Sequence, residues 1–309
     1  MNLATSLDEP RSSAERQKPN VEVFIPSIDR PSLARTLASL DEQSFQGHAL
    51  RLDKGPEQFL DKTLRMAGES KAELVAIWDD DAEFPPSWLE RLLPYFELPR
   101  VAFVGGPMIP LVNGSSTRTE RAAAFVSQSF FGSLWMSRRA KDGAFAEERT
   151  ETGLVGVGIY RRELLLKILK DGWDDIPRGA WETYVLTRMR ELGYATLFVP
   201  EGRFYHAPRS TFGQIARQAY RSGVGRMAVF RSKPKIAIRA GSIVLPLLLL
   251  AYFFEASAHA FYWPAVLYLG VVFIAGGFDP WNFAAILTTH LSYTFGLLVG
   301  IFRRHASWT

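Results

Sequence analysis

The chain has 309 residues, 47% of them hydrophobic, with 36 Lys and Arg against 32 Asp and Glu for a formal net charge of +4, a balance that excludes collagen, coiled coil and a wholly disordered chain. It holds no cysteine, which excludes disulfide frameworks, Cys-ligated zinc, iron–sulfur clusters and thiol nucleophiles. Charge is unevenly spread: residues 240–309 carry only Glu255, Asp279, Arg303 and Arg304, so a water-soluble body is expected ahead of a membrane-like tail.

Residues 1–19 are polar and lack an apolar stretch of secretory length. They read as a disordered leader without a signal peptide, which leaves the body on the cytoplasmic side. Val21 to Ile25 is a short β-rich run closed by Pro26, and Pro31 with Ser32 opens a helix whose Leu33, Leu37 and Leu40 share a face. The pattern continues with a strand at Ala49–Leu52, a helix around Phe59–Ala67, a strand at Leu74–Trp78, a helix at Ser87–Phe96 and a strand at Val101–Val104. Beyond these come a strand at Leu154–Tyr160, helices at Arg161–Leu169 and Trp181–Leu192, and a strand at Ala195–Val199. Strands that alternate with helices predict an α/β domain built on a largely parallel sheet.

In open sheets of this kind a ligand sits beyond the carboxyl ends of the strands. The residues that follow them are Ser27, Asp29 and Arg30 after the first strand, Asp53 and Lys54 after the second, and Asp79, Asp80 and Asp81 after Trp78. Three successive carboxylates repel one another unless a cation sits among them. Oxygen-rich clusters of this type suit Mg2+ or Mn2+, which in turn hold phosphates. A solvated acidic turn is the competing reading of the run. An EF-hand, a P-loop and a GxGxxG fingerprint are all absent, since Gly156-Val-Gly158 lacks a third glycine.

From Gly202 to Arg239 the chain has nine basic residues and no acidic one. A basic block against a membrane tail attracts anionic headgroups or phosphates, and its position argues against nucleic acid. The tail offers uncharged runs at 240–254, 256–278 and 280–302; the second and third are long enough to span a bilayer, which needs about 20 helical residues. Basic residues at both ends of the tail favour an even number of crossings.

The motifs Val21-Glu-Val-Phe-Ile-Pro-Ser-Ile-Asp-Arg30, Trp78-Asp-Asp-Asp-Ala-Glu-Phe-Pro-Pro-Ser-Trp-Leu89 and Val101-Ala-Phe-Val-Gly-Gly-Pro107, taken together, resemble the family-2 glycosyltransferases. The nearest likeness is to membrane-attached members that build exopolysaccharide or lipid-linked glycans. The resemblance implies a GT-A nucleotide-diphospho-sugar transferase fold over residues 20–230, followed by a basic juxtamembrane segment and two to three transmembrane helices over 231–309. It implies an inverting, metal-assisted transfer from a nucleotide-sugar donor to a polyprenyl-phosphate-linked or glycan acceptor at the cell membrane, with Mg2+ or Mn2+. Under it Asp79, Asp81 and His206 become metal ligands. Pro26, Ser27, Arg30, Asp53, Lys62, Asp80, Gln218 and Arg221 become donor or acceptor contacts. Glu182 occupies the place of the family's catalytic base, where Asp is usual, and Trp181 stands where Glu is usual. Only 17 residues separate Gln43 from Asp61, where the family fits a second strand, a helix and a third strand. That shortening motivates a rival reading, a non-catalytic relative that serves as an assembly partner in glycan synthesis.

Overall fold

A computed structural model describes residues 20–129, 156–232 and 263–302. The expected leader 1–19, the first tail run and the ends of two predicted elements lie outside the described residues. The elements, in order, are β1 (Val21–Pro26), α1 (Leu33–Asp41), β2 (His48–Asp53), α2 (Phe59–Glu69), β3 (Leu74–Ile77), β4 (Ala82–Glu83) and α3 (Trp88–Leu92), then β5 (Val101–Gly105), β6 (Met108–Pro110) and α4 (Arg118–Gln128). After them come β7 (Gly158–Arg161), α5 (Arg162–Asp171), α6 (Trp181–Glu191), β8 (Ala195–Phe198), β9 (Phe204–His206) and α7 (Phe212–Ser232), followed by α8 (Trp263–Ala275) and α9 (Pro280–Phe302).

The main sheet has six strands in the order β2-β1-β3-β7-β5-β8, and β4-β9-β6 form a small second sheet. Strands β1, β2 and β3 run parallel, as do β5 and β8, but β7 is antiparallel to both its neighbours. The largely parallel sheet expected from the alternation is therefore mixed. Register explains why: β7 begins with Gly158 beside Ile77 and Ile159 beside Val104, at the end where β3 and β5 finish. The chain re-enters the sheet from the end it left, without a crossover to the far edge, and such a return pairs antiparallel. The predicted helix over Ser87–Phe96 also stops early, passing into a 3-10 turn at Leu93–Glu97 with Pro94 in its first turn. Pro94 has no N–H to give an α-helical bond.

The central strands are apolar on both faces because helices cover both. On one face Val21, Val23 and Ile25 pack with Leu33, Leu40, Trp88 and Phe96; on the other Phe24, Val75 and Ile77 pack with Leu60, Met66, Leu165 and Val185. Residues 43–61 hold a single strand, β2, which pairs with β1 alone and forms the sheet edge. The chain then turns directly into α2. Gln43 pins this half together: its buried amide donates to the Ser39 and Pro85 carbonyls at 3.0 and 2.8 Å and accepts from the Leu89 N–H at 3.1 Å.

The long helix α7 was not foreseen in the basic block. It runs two residues past the expected domain boundary at 230 and packs lengthwise on α9, where a Cβ on Gly223 would collide with the Tyr293 carbonyl and one on Gly296 with the Tyr220 carbonyl. Two helix backbones in such contact require glycine at both positions. Arg231 closes the pair by donating to the Gly300 and Ile301 carbonyls at the C-terminus of α9. Among the described residues α9 is the one helix long and apolar enough to cross a membrane.

Replacing Gln43 with Met keeps the volume but strands the Leu89 N–H in the core, while the Pro85 carbonyl keeps the Trp88 N–H at 2.9 Å. An orphaned buried group costs roughly 1–3 kcal/mol, so a loss of about 1–3 kcal/mol is expected in denaturant unfolding. An unchanged midpoint would show that this pin is dispensable.

Candidate active site

The candidate site lies at the carboxyl ends of β1 and β3, where Asp79, Asp80 and Asp81 follow β3. Asp80, nearly fully buried, faces the loop after β1: its carboxylate accepts from the Ser27 hydroxyl at 2.8 Å and the Ile28 N–H at 3.0 Å, and pairs with Arg30 at 3.2 Å. The Ser32 hydroxyl donates to the Asp80 carbonyl at 3.0 Å, and the Asp29 N–H to the Ser27 hydroxyl at 2.8 Å. These bonds fold residues 27–32 tightly over the end of β3. Asp29 adopts φ +59 in that loop, a left-handed conformation that Asp tolerates better than most residues.

Asp81 points the other way, toward two guanidiniums and an imidazole. Its carboxylate meets His206 Nε2 at 2.9 Å and Arg209 at 3.2 Å, and also contacts Arg30. His206 reaches it because β9 pairs with β4, placing His206 opposite Ala82. Asp79, Asp81 and His206 offer ligand atoms that all lie within 4.8 Å of one another. Burial disfavours an ionised Asp81, but the hydrogen bond and charge of His206 with those of Arg30 and Arg209 outweigh it, so its carboxyl is held far below the usual range. Asp79 makes no hydrogen bond or ion pair of this kind among the described residues. Burial first, then the neighbouring Asp81 charge, push it up to about 6 against the pull of His206 and Arg209. An incompletely compensated carboxylate beside a second carboxylate and an imidazole is a donor set that fits a divalent cation with oxygen and nitrogen ligands.

The other expected site residues are placed as follows. Asp53 ends β2, accepts from the Gly55 N–H at 2.9 Å and pairs with Arg65; burial would raise its pKa, but these bonds bring it below the normal carboxylate value. Lys62 departs from the expectation of a substrate contact. It is 1% exposed, with its ammonium on the Ser27 carbonyl, so it supports the loop from beneath. Pro26 closes β1 opposite Asp53. Gln218 lies on α7 and accepts from Arg209 at 3.2 Å, which links α7 to the acidic cluster, while Arg221 lies one turn further along that helix. Glu182 stands in the first turn of α6, and Trp181 packs on Phe59 and Tyr160 at 5.7 and 6.4 Å. Burial, then the charges of Glu182 and Asp79, raise the Tyr160 phenol well above its usual value, so both carboxylates act on one ring that donates to the Gly156 carbonyl at 2.7 Å.

Sequence reasoning missed two members of this group. Arg209 entered only as one of nine basic residues, although its place three positions after His206 was a usable signal. Tyr160 was read simply as the end of a strand.

A profile of the family described as Glycosyl transferase family group 2 matches residues 74–299. The chain belongs to that family. A solved structure, the mannosyltransferase PcManGT from Pyrobaculum calidifontis in complex with GDP-Man and Mn2+, is similar at a TM-score of 0.60 and 16% identity, over 94% of this chain and 89% of that one. The GT-A fold follows from that likeness, and membership of the family makes the protein a glycosyltransferase. No curated protein sequence matches the chain.

The Asp79 carboxyl gives a prediction for this glycosyltransferase in chelator. Its pKa is raised on folding, so the stability it contributes is present below the unfolded value of 3.8 and is lost as pH rises through about 6. The D79N variant should melt above the parent at pH 7.5 by about 2–4 °C and level with it near pH 4. A variant less stable at pH 7.5 would show that the carboxylate is already compensated.

Proposed function

We propose that the protein is a membrane-anchored, inverting glycosyltransferase that moves a sugar from a nucleotide-sugar donor to a lipid-linked or polysaccharide acceptor at the cytoplasmic face of the cell membrane. The reading rests chiefly on Asp79, Asp81 and His206 converging beside Arg30 and Arg209 at the strand ends. A likeness to an enzyme solved with GDP-Man and Mn2+ supports it. A divalent cation, Mg2+ or Mn2+, held by Asp79, Asp81 and His206 would offset the negative charge that gathers on the diphosphate as the sugar leaves.

The chain's own residues do the rest. Arg30 and Arg209, both on Asp81, would give charge-assisted hydrogen bonds to diphosphate oxygens. Pro26 and Ser27 form the wall against which the nucleoside lies, with Asp80 and Lys62 fixing that wall from behind and Asp53 at the neighbouring strand end for the base. Gln218 and Arg221 project from α7 for the acceptor side. Glu182 takes the proton of the acceptor hydroxyl as its oxygen attacks the anomeric carbon opposite the departing diphosphate, which inverts that centre. The apolar α9 and the basic residues of α7 suit a protein seated on an anionic membrane face.

A second reading, a non-catalytic assembly partner, is favoured by the single edge strand β2 and by Trp181 at the usual acid position. Calorimetry with a panel of nucleotide sugars, with and without Mn2+, separates the two. One nucleotide class should bind in a cation-dependent way, and D81N should weaken it at least tenfold. The E182Q variant should keep that affinity within twofold while kcat falls about 10²–10⁴-fold. If no nucleotide sugar binds, the assembly-partner reading replaces this one.

A further inference from the structure

Glu182 follows directly on a turn that two other helices grip. The 3-10 turn Arg178–Ala180 leads straight into α6, whose first residue is Trp181. On one side Arg178 pairs with Asp61 of α2 at 3.7 Å, while its guanidinium stacks over the Trp173 ring at 3.9 Å. On the other side the turn lies against α7, where a Cβ on Gly225 would come within 2.8 Å of the Gly179 carbonyl carbon. Helix α2 also carries Lys62, on the Ser27 carbonyl, and Arg65, on Asp53, and α7 carries Gln218 and Arg221. The turn therefore joins the helix that supports the proposed nucleoside wall to the helix proposed for the acceptor.

Trp181 completes this junction. Its buried indole packs on Phe59, the first residue of α2, and on Tyr160 of β7. A Cβ added to Gly156 would lie only 2.3 Å from the six-membered ring of the indole, so this placement requires glycine at 156. The Tyr160 hydroxyl donates to the Gly156 carbonyl at 2.7 Å, which holds that glycine against the ring. A side chain enclosed in this way has little freedom to change rotamer. Because Trp181 and Glu182 are neighbours in the first turn of α6, the enclosed indole fixes the backbone from which the Glu182 carboxylate extends. An acid at 181 would instead bury a charge among these rings, at a cost that the indole avoids.

We propose that Trp181 is a positioning residue for the transfer: its indole, braced on Phe59, Tyr160 and Gly156, holds the first turn of α6 so that the Glu182 carboxylate keeps its place relative to the donor site. The inference rests on the reading of Glu182 as the base. It gives the departure at 181 a function, and it ties the placement of the base to α2, the helix that closes the shortened stretch between Gln43 and Asp61.

The test measures release of nucleoside diphosphate by the full chain from the nucleotide sugar that calorimetry selects, with water as the acceptor. G156A drives a methyl group into the indole and should lower kcat at least tenfold, with KM for the nucleotide sugar within twofold of the parent. In G156A/W181F the smaller phenyl ring makes room for that methyl, and kcat should return to within threefold of the parent. In the E182Q background G156A should slow release by less than twofold, because a residue that acts through Glu182 has nothing left to position. A further tenfold loss in that background, or a fall in G156A that comes with equally weakened nucleotide-sugar affinity and is not restored by W181F, would overturn the proposal. An E182Q defect beside an unaffected G156A overturns the positioning role alone and leaves the base reading standing. If E182Q matches the parent, the base reading itself fails and this inference falls with it.

Discussion

Charge crowding at the end of β3 organises this molecule. Asp79, Asp80 and Asp81 leave a buried strand together, and repulsion between adjacent carboxylates there would open the structure without compensation. Compensation comes from three distant stretches of chain. The loop after β1 brings Ser27 and Arg30, β9 brings His206, and the segment before α7 brings Arg209. One requirement therefore ties the first strand, the small second sheet and the helix leading to the tail to a single point. The neutralisation is uneven, since Asp81 meets two guanidiniums and an imidazole and Asp79 is left raised, and that unevenness marks the position for a further positive charge.

The membrane-type helix joins the same arrangement through α7. Glycines at 223 and 296 let the two backbones touch, and Arg231 ends the pair. Gln218 on the same helix meets Arg209. Helix α9 is thus packed against the element that borders the acidic cluster.

Much of this was legible in the residues. The alternation of apolar runs and helical stripes located the six strands of the main sheet and α1, α2, α3, α5 and α6 but neither the small second sheet nor α4, and Asp79, Asp81 and His206, read as candidate metal ligands, offer ligand atoms within 4.8 Å of one another. The antiparallel β7 was not legible, because direction depends on how the chain returns to the sheet and its local pattern suits either direction. The same limit hid α7, whose stripe is interrupted by Arg217, Arg221 and Arg226 and whose two key positions are glycines that matter only once a partner helix is present. Lys62 was misjudged for a related reason. A lysine reads as exposed by composition, and only tertiary packing placed its ammonium under the Ser27 carbonyl. Asp53, by contrast, stands at the end of β2 as its position in the chain suggested, held by Arg65.

The central claim is that the convergence on Asp81 is a place for a divalent cation next to a diphosphate. A crystal structure with Mn2+ and the preferred nucleoside diphosphate, with anomalous scattering to locate the ion, tests it most directly. The account predicts one anomalous peak bounded by Asp79, Asp81 and His206, with Arg30 or Arg209 turned from Asp81 to the phosphates. A peak elsewhere, or both guanidiniums still on Asp81 with the diphosphate bound apart from them, would contradict it.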